Sequence, residues 1–148
     1  MGLETKLHIY KSVYLPTLTY GRESWVMLDK QVSRITGAEM RYLRRVAGKT
    51  RRDRIRNERI REELRLPALK SILEKRQLKW FGHVCRMSED REPKKVMEAR
   101  PTGKRPRGRP RILYDNYIQK IGRKSIEQLK QLCRDREAWH RWIEAPPR

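Results

Sequence analysis

Acidic residues are scarce: 18 Asp and Glu stand against 38 Lys and Arg in 148 residues, a formal net charge of +20. Self-neutralisation is excluded by that imbalance, and an external polyanion is expected, because repulsion of this size costs stability until a partner offsets it. Long apolar runs are missing as well. No stretch approaches the ~18 apolar residues of a spanning helix, and the cations are not gathered at one juxtamembrane site, so no membrane partner is expected. The opening Met1-Gly2-Leu3-Glu4-Thr5-Lys6 lacks both a secretory apolar core and the Ser or Thr of a myristoylation signal. An intracellular chain, nuclear or cytoplasmic, is expected. The two cysteines, Cys85 and Cys133, lie far apart in sequence and are expected as free thiols. Hydrophobic residues make up only 36%, so the core is small and parts of the chain are expected to order on binding.

Paired carboxylates are lacking too. Asp29, Asp53, Asp90, Asp115 and Asp135 are dispersed, so neither the two-carboxylate metal site of a polymerase palm nor a nuclease cluster can be assembled. Asp29, Asp53 and Asp115 read as helix caps or ion-pair partners. His83, Cys85, Cys133 and His140 are the one zinc-type set, and their His-x-Cys and Cys-x6-His spacings do not match structural zinc sites. No catalytic residue, metal, cofactor or small-molecule substrate is expected.

What is present is helical periodicity. Leu3, Leu7, Tyr10 and Tyr14 form a stripe that Pro16 is expected to end, and Gly21 marks a turn. Asp29 is placed to cap a helix over 30–47 that sets Val32, Ile35, Leu43 and Val46 opposite Arg34, Arg41 and Arg45, with Gly48 as its stop. Asn57 is expected to cap a short helix through Glu63. Pro67 opens a longer one, with Leu69, Ile72, Leu73, Trp80 and Val84 on one face and Lys75, Lys79 and Arg86 on the other. Periodicity then lapses until helices resume over 112–121 and 126–143, anchored by Leu129, Leu132, Trp139 and Trp142. The fold class is mainly α: a thumb-like helical region over 1–87, a basic Pro/Gly-rich tether over 88–111 and a small helical piece over 112–148. The tryptophans at stripe positions are expected in the core rather than stacked on bases.

Two basic clusters stand out. Arg51, Arg52, Arg54, Arg56, Arg59 and Arg61 are offset between residues 49 and 61 only by Asp53 and Glu58, which points to phosphate contact. In the second cluster, Pro106 and Pro110 hold an extended ribbon from which Lys104, Arg105, Arg107, Arg109 and Arg111 project, and Gly108 lets the backbone lie flat in a narrow groove. Arg107-Gly108-Arg109-Pro110 resembles an AT-hook, a minor-groove peptide. A solvated basic linker or import signal is the plain alternative.

Several blocks in series carry a wider resemblance. Tyr14-Leu15-Pro16-Thr17-Leu18-Thr19-Tyr20-Gly21, Trp25, Met40-Arg41-Tyr42-Leu43-Arg44-Arg45 and Arg52-Asp53-Arg54-Ile55-Arg56-Asn57-Glu58 are similar to the region after the palm in LINE-type non-LTR retrotransposon reverse transcriptases. Leu78-Lys79-Trp80-Phe81-Gly82-His83-Val84-Cys85-Arg86-Met87, then residues 103–111, then Asp135-Arg136-Glu137-Ala138-Trp139 resemble further blocks of that family in the same order. Tyr114 stands where the family usually has Trp, and Arg22 where it more often has a small residue. The resemblance implies the thumb-like helices and basic tail of an endonuclease–reverse transcriptase, a family that nicks DNA and copies its own RNA. With neither palm nor endonuclease carboxylates present, it also implies a degenerate copy or a truncated gene model without catalysis. The implied partners are RNA or DNA and the rest of a reverse transcriptase. Arg34, Arg41, Arg45, Arg51, Arg52, Arg54, Arg56, Lys75, Lys79 and Arg86 are expected to meet phosphates. Lys104, Arg105, Arg107, Gly108, Arg109 and Arg111 are expected to clamp a groove or single strand. A host-adopted DNA-binding or chromatin protein, and a protein-interaction module using Trp139 and Trp142, are the alternatives.

Overall fold

The computed structural model describes residues 2–100, 103–104, 107–108, 110 and 112–145. The described residues form helices and no strand, in keeping with the mainly α expectation. They fall into two compact units. One takes in the described residues up to Arg22 together with Met27–Leu73, the other Glu23–Val26 and the described residues from Glu74 on.

In the first unit, α1 (Leu3–Ile9) runs through a π-helical turn, Tyr10–Tyr14, into α2 (Leu15–Thr19). Pro16 therefore does not end the helix. Leu15 N–H donates to Tyr10 O across the wide turn, and a widened turn just ahead of a proline relieves the clash its ring makes in regular α geometry. Hydroxyls supply further bonds to the carbonyls here, Thr17 Oγ1 donating to Val13 O at 2.8 Å and Thr19 Oγ1 to Leu15 O at 2.7 Å. Tyr10, Tyr14 and Tyr42 stack together, with Tyr14 and Tyr42 ring centres 4.5 Å apart. Leu3, expected on the same stripe, is exposed.

The next helix, α3 (Asp29–Val46), starts one residue before the expected span. Asp29 is its first residue rather than its cap; Gln31 Oε1 reaches back to accept from Leu28 N–H at 2.9 Å. Its end is the expected one. Gly48 sits at φ +64, and Lys49 N–H donates to Arg44 O at 2.8 Å while Gly48 N–H donates to Arg45 O at 3.3 Å, a Schellman closure. Helix α4 (Asn57–Glu63) likewise begins at Asn57 without being capped by it, because Asn57 Oδ1 accepts from Arg44 at 2.7 Å. Met40, Leu43, Val46, Ile60, Leu64 and Tyr10 form the core. A buried Glu39 crosses it, paired with Arg61 and accepting from Tyr10 Oη.

The division between units falls within α5 (Leu69–Cys85). In the second unit the rest of α5 is followed by α6 (Glu92–Glu98), α7 (Tyr114–Gly122), α8 (Ile126–Arg134) and α9 (Arg136–Glu144). Helix α6 lies in the stretch expected as tether. Its periodicity is weak because it is short and leaves Val96 exposed while Met97 packs on the core; Lys94 Nζ ties it to α5 by donating to Cys85 O at 2.9 Å. Ser125 caps α8 in a reciprocal box with Gln128, and Asp135 caps α9 by accepting from Glu137 and Ala138 N–H. Leu78, Phe81, Ile118, Leu129, Cys133, Trp139 and Ile143 form the core. Gln77 is buried beside it, accepting from Tyr117 Oη at 2.8 Å and donating to Trp25 O at 3.1 Å. Trp139 is in the core as expected, while Trp80 and Trp142 are half-buried.

Candidate nucleic-acid interface

In the first unit, burial of Ile35, Leu43 and Val46 turns the opposite face of α3 outward, and Arg34, Arg41 and Arg45 are exposed along it. Spacings of seven and four residues keep them nearly in line over about 16 Å at the helical rise of 1.5 Å per residue. None of the three forms an ion pair among the described residues. Arg51, Arg52, Arg54 and Arg56 are exposed in the segment joining α3 to α4, also without ion pairs among the described residues. The nearby Asp53 carboxylate forms no ion pair with them among the described residues. It accepts from Thr50 N–H at 2.6 Å and Thr50 Oγ1 at 3.0 Å, and these bonds hold it below the usual carboxylate range. Arg59 and Arg61 depart from the expected cluster: Arg59 lies 3.5 Å from Glu62, and Arg61 turns inward to Glu39.

In the second unit, α5 and α9 make a groove of about 940 Å³ in which Lys79, His83 and Arg86 face Arg136, His140 and Arg141, with Glu137 the one acid on its wall among the described residues. Trp139 and Ile143 form its apolar lining. Close approach of the two helices depends on Gly82, since a Cβ there would lie 2.2 Å from Trp139 Nε1. Two sequence blocks more than fifty residues apart thus meet at one point. Lys75 and Lys79 share one carboxylate, so the three groups together keep a single positive charge. Both lysines bind Glu144, at 2.9 and 2.7 Å, and these bonds lower the Glu144 carboxyl to about 2. Arg86 donates to Cys133 O at 2.9 Å, beside the C-terminal end of α8.

Of the AT-hook-like stretch, Lys104, Arg107 and Gly108 are exposed; Arg105, Arg109 and Arg111 lie outside the described residues. Asp115 is an ion-pair partner, 2.9 Å from Arg100. His83, Arg136, His140 and Arg141 line the groove although sequence reasoning assigned them no contact role. His83 and Arg136 belong to the two blocks that carry Gly82 and Trp139, and His140 and Arg141 follow the second directly. Among the described residues no group of three or more His, Cys, Asp or Glu is placed to hold a metal, and no helix is long and apolar enough to cross a membrane.

No family model matches the chain, and no solved structure matches it. Across 148 aligned positions it is 29% identical to a Caenorhabditis elegans protein described as an uncharacterized transposon-derived protein. The match takes in 90% of this chain and 52% of that protein, so the chain spans about half the length of the curated relative it matches. What the comparisons establish is similarity to a transposon-derived protein.

Proposed function

We propose that this chain is the nucleic-acid-binding, post-palm segment of a LINE-type retrotransposon reverse transcriptase, holding template RNA or target DNA and supplying no polymerisation or nicking chemistry itself. One observation carries the reading: the exposed arginines of α3 and of residues 51–56 have no ion-pair partner among the described residues, in a chain with net charge +20. Each strand of a duplex presents a charge about every 3.4 Å, so a 16 Å stripe spans roughly five phosphates. The α5–α9 groove adds a second cationic surface. Similarity to a transposon-derived protein supports the origin of the segment, and the order of the sequence blocks supports its place after a palm. Its partners on this reading are RNA or DNA and the remainder of a reverse transcriptase, inside the cell.

Anisotropy of labelled single-stranded RNA, duplex DNA and RNA–DNA hybrid, titrated at several salt concentrations, tests this. Log affinity is expected to fall linearly with log salt with a slope of about −3 to −5. Replacing Arg34, Arg41 and Arg45 together by Ala is expected to flatten the slope by about 2 to 3. Affinity indifferent to salt, or an unchanged slope in the triple variant, removes the phosphate assignment.

A further inference from the structure

Next to the α5–α9 groove, and sharing Arg86 with it, the second unit has another hollow, of about 550 Å³, lined by both cysteines of the chain. Cys85 is the last residue of α5 and is half-buried; Cys133 lies one residue before the end of α8 and is fully buried. Cys85 packs against the apolar cluster to which Cys133 belongs. Around the pair the hollow is lined by Arg86, Lys94, Lys130 and Arg134, with Glu98 as the acid. Two of these cations are anchored at the cysteines themselves, Arg86 on Cys133 O and Lys94 on Cys85 O, each at 2.9 Å.

The two sulfurs are unequal. The hydrogen bond from Cys133, then the charges of Lys130, Lys94 and Arg86, hold the Cys85 thiol below its ordinary range. Donation to Cys85 and burial push Cys133 up. Thiolate character and partial exposure are the two properties that select a cysteine for oxidation, and a second thiol within reach diverts the product to a disulfide.

We propose that Cys85 and Cys133 are an oxidation site, at which a peroxide converts the two thiols to a disulfide that joins α5 to α8. The Cys85 thiolate attacks one peroxide oxygen; an S–O bond forms, the O–O bond breaks, and the departing hydroxide takes up a proton to become water. Cys133 sulfur then displaces hydroxide from the Cys85 sulfenic acid; the S–S bond forms, the S–O bond breaks, and the hydroxide leaves as water with the Cys133 proton. Two electrons pass from the thiols, reducing one peroxide to two waters. This site is independent of the nucleic-acid reading.

Hydrogen peroxide added to the folded full chain, followed by denaturation in N-ethylmaleimide and intact-mass measurement, tests the proposal. The expected product is a monomer lighter by two hydrogen masses, without maleimide, restored by dithiothreitol. In Cys133→Ser, Cys85 is expected to stop at a sulfenic acid that dimedone traps. In Cys85→Ser, Cys133 is expected to keep its thiol and take up maleimide. Should Cys133→Ser disturb the core, the wild-type mass decides alone. Two free thiols surviving peroxide, a Cys85 that gains two oxygens, or a disulfide formed only between chains overturns the assignment.

Discussion

Gly82 is the residue on which the α5–α9 groove depends. With the indole of Trp139 where a Cβ would project, Gly82→Ala forces one helix away from the other. Overpacking of this kind costs about 1–3 kcal/mol, and urea unfolding is expected to show a loss in that range that shrinks when Trp139→Phe is combined with it. An equal loss in both backgrounds would place the cost elsewhere than the indole. Arg61 shows the opposite lesson for a charged residue: beside five exposed-looking arginines in sequence, it is the one whose position on α4 faces inward to a carboxylate with no solvent exposure. Nothing local distinguishes it. Its fate is set by Glu39, twenty-two residues earlier on another helix.

At the scale of elements, α5 and α9 are clamped by Lys75 and Lys79 on Glu144. A carboxyl lowered to about 2 in the folded chain contributes stability that is present above the ordinary glutamate range of about 4.3 and is lost as pH falls toward the folded value. Carbon-detected titration of Glu144 is therefore expected to give a midpoint near the lower value, and Lys79→Met to move it upward. A midpoint at the ordinary glutamate position would mean that the lysines do not hold the carboxylate. The faces of helix α3 were legible in the sequence though its cap was not, because Ile35, Leu43 and Val46 recur at a period that also fixes where Arg34, Arg41 and Arg45 must point. The run through Pro16 was not, since a π-helical turn leaves no periodic mark, and α6 was missed because one packed residue, Met97, makes no stripe. Of the candidate site, the α3 stripe and the basic 51–56 segment could be read directly, whereas the groove could not. Pairing of α5 with α9 is a tertiary fact, as are the Glu144 bonds and the approach of Cys85 to Cys133.

Taken as one molecule, the chain carries far more positive charge than its own acids absorb, and matches such as those of Glu39, Glu144 and Asp115 leave most of it unbalanced. Repulsion among the remaining cations opposes compaction. The thermal midpoint is expected to rise as ionic strength is raised from about 0.01 M to 0.15 M, where the screening length shortens from roughly 30 to 8 Å, and to rise further with a stoichiometric polyphosphate that binds the folded state. A midpoint insensitive to both would mean that the exposed arginines are too widely spread to oppose folding. The π-helical turn at Tyr10–Tyr14 has its own consequence for this small core. Since such a turn absorbs one extra residue in a wider loop, rewinding these same residues as regular α-helix would advance everything beyond them by about 100°. Thr19, fully buried in α2, would then be turned out of its place, so in this helix the irregular geometry is the native one and regularity the defect.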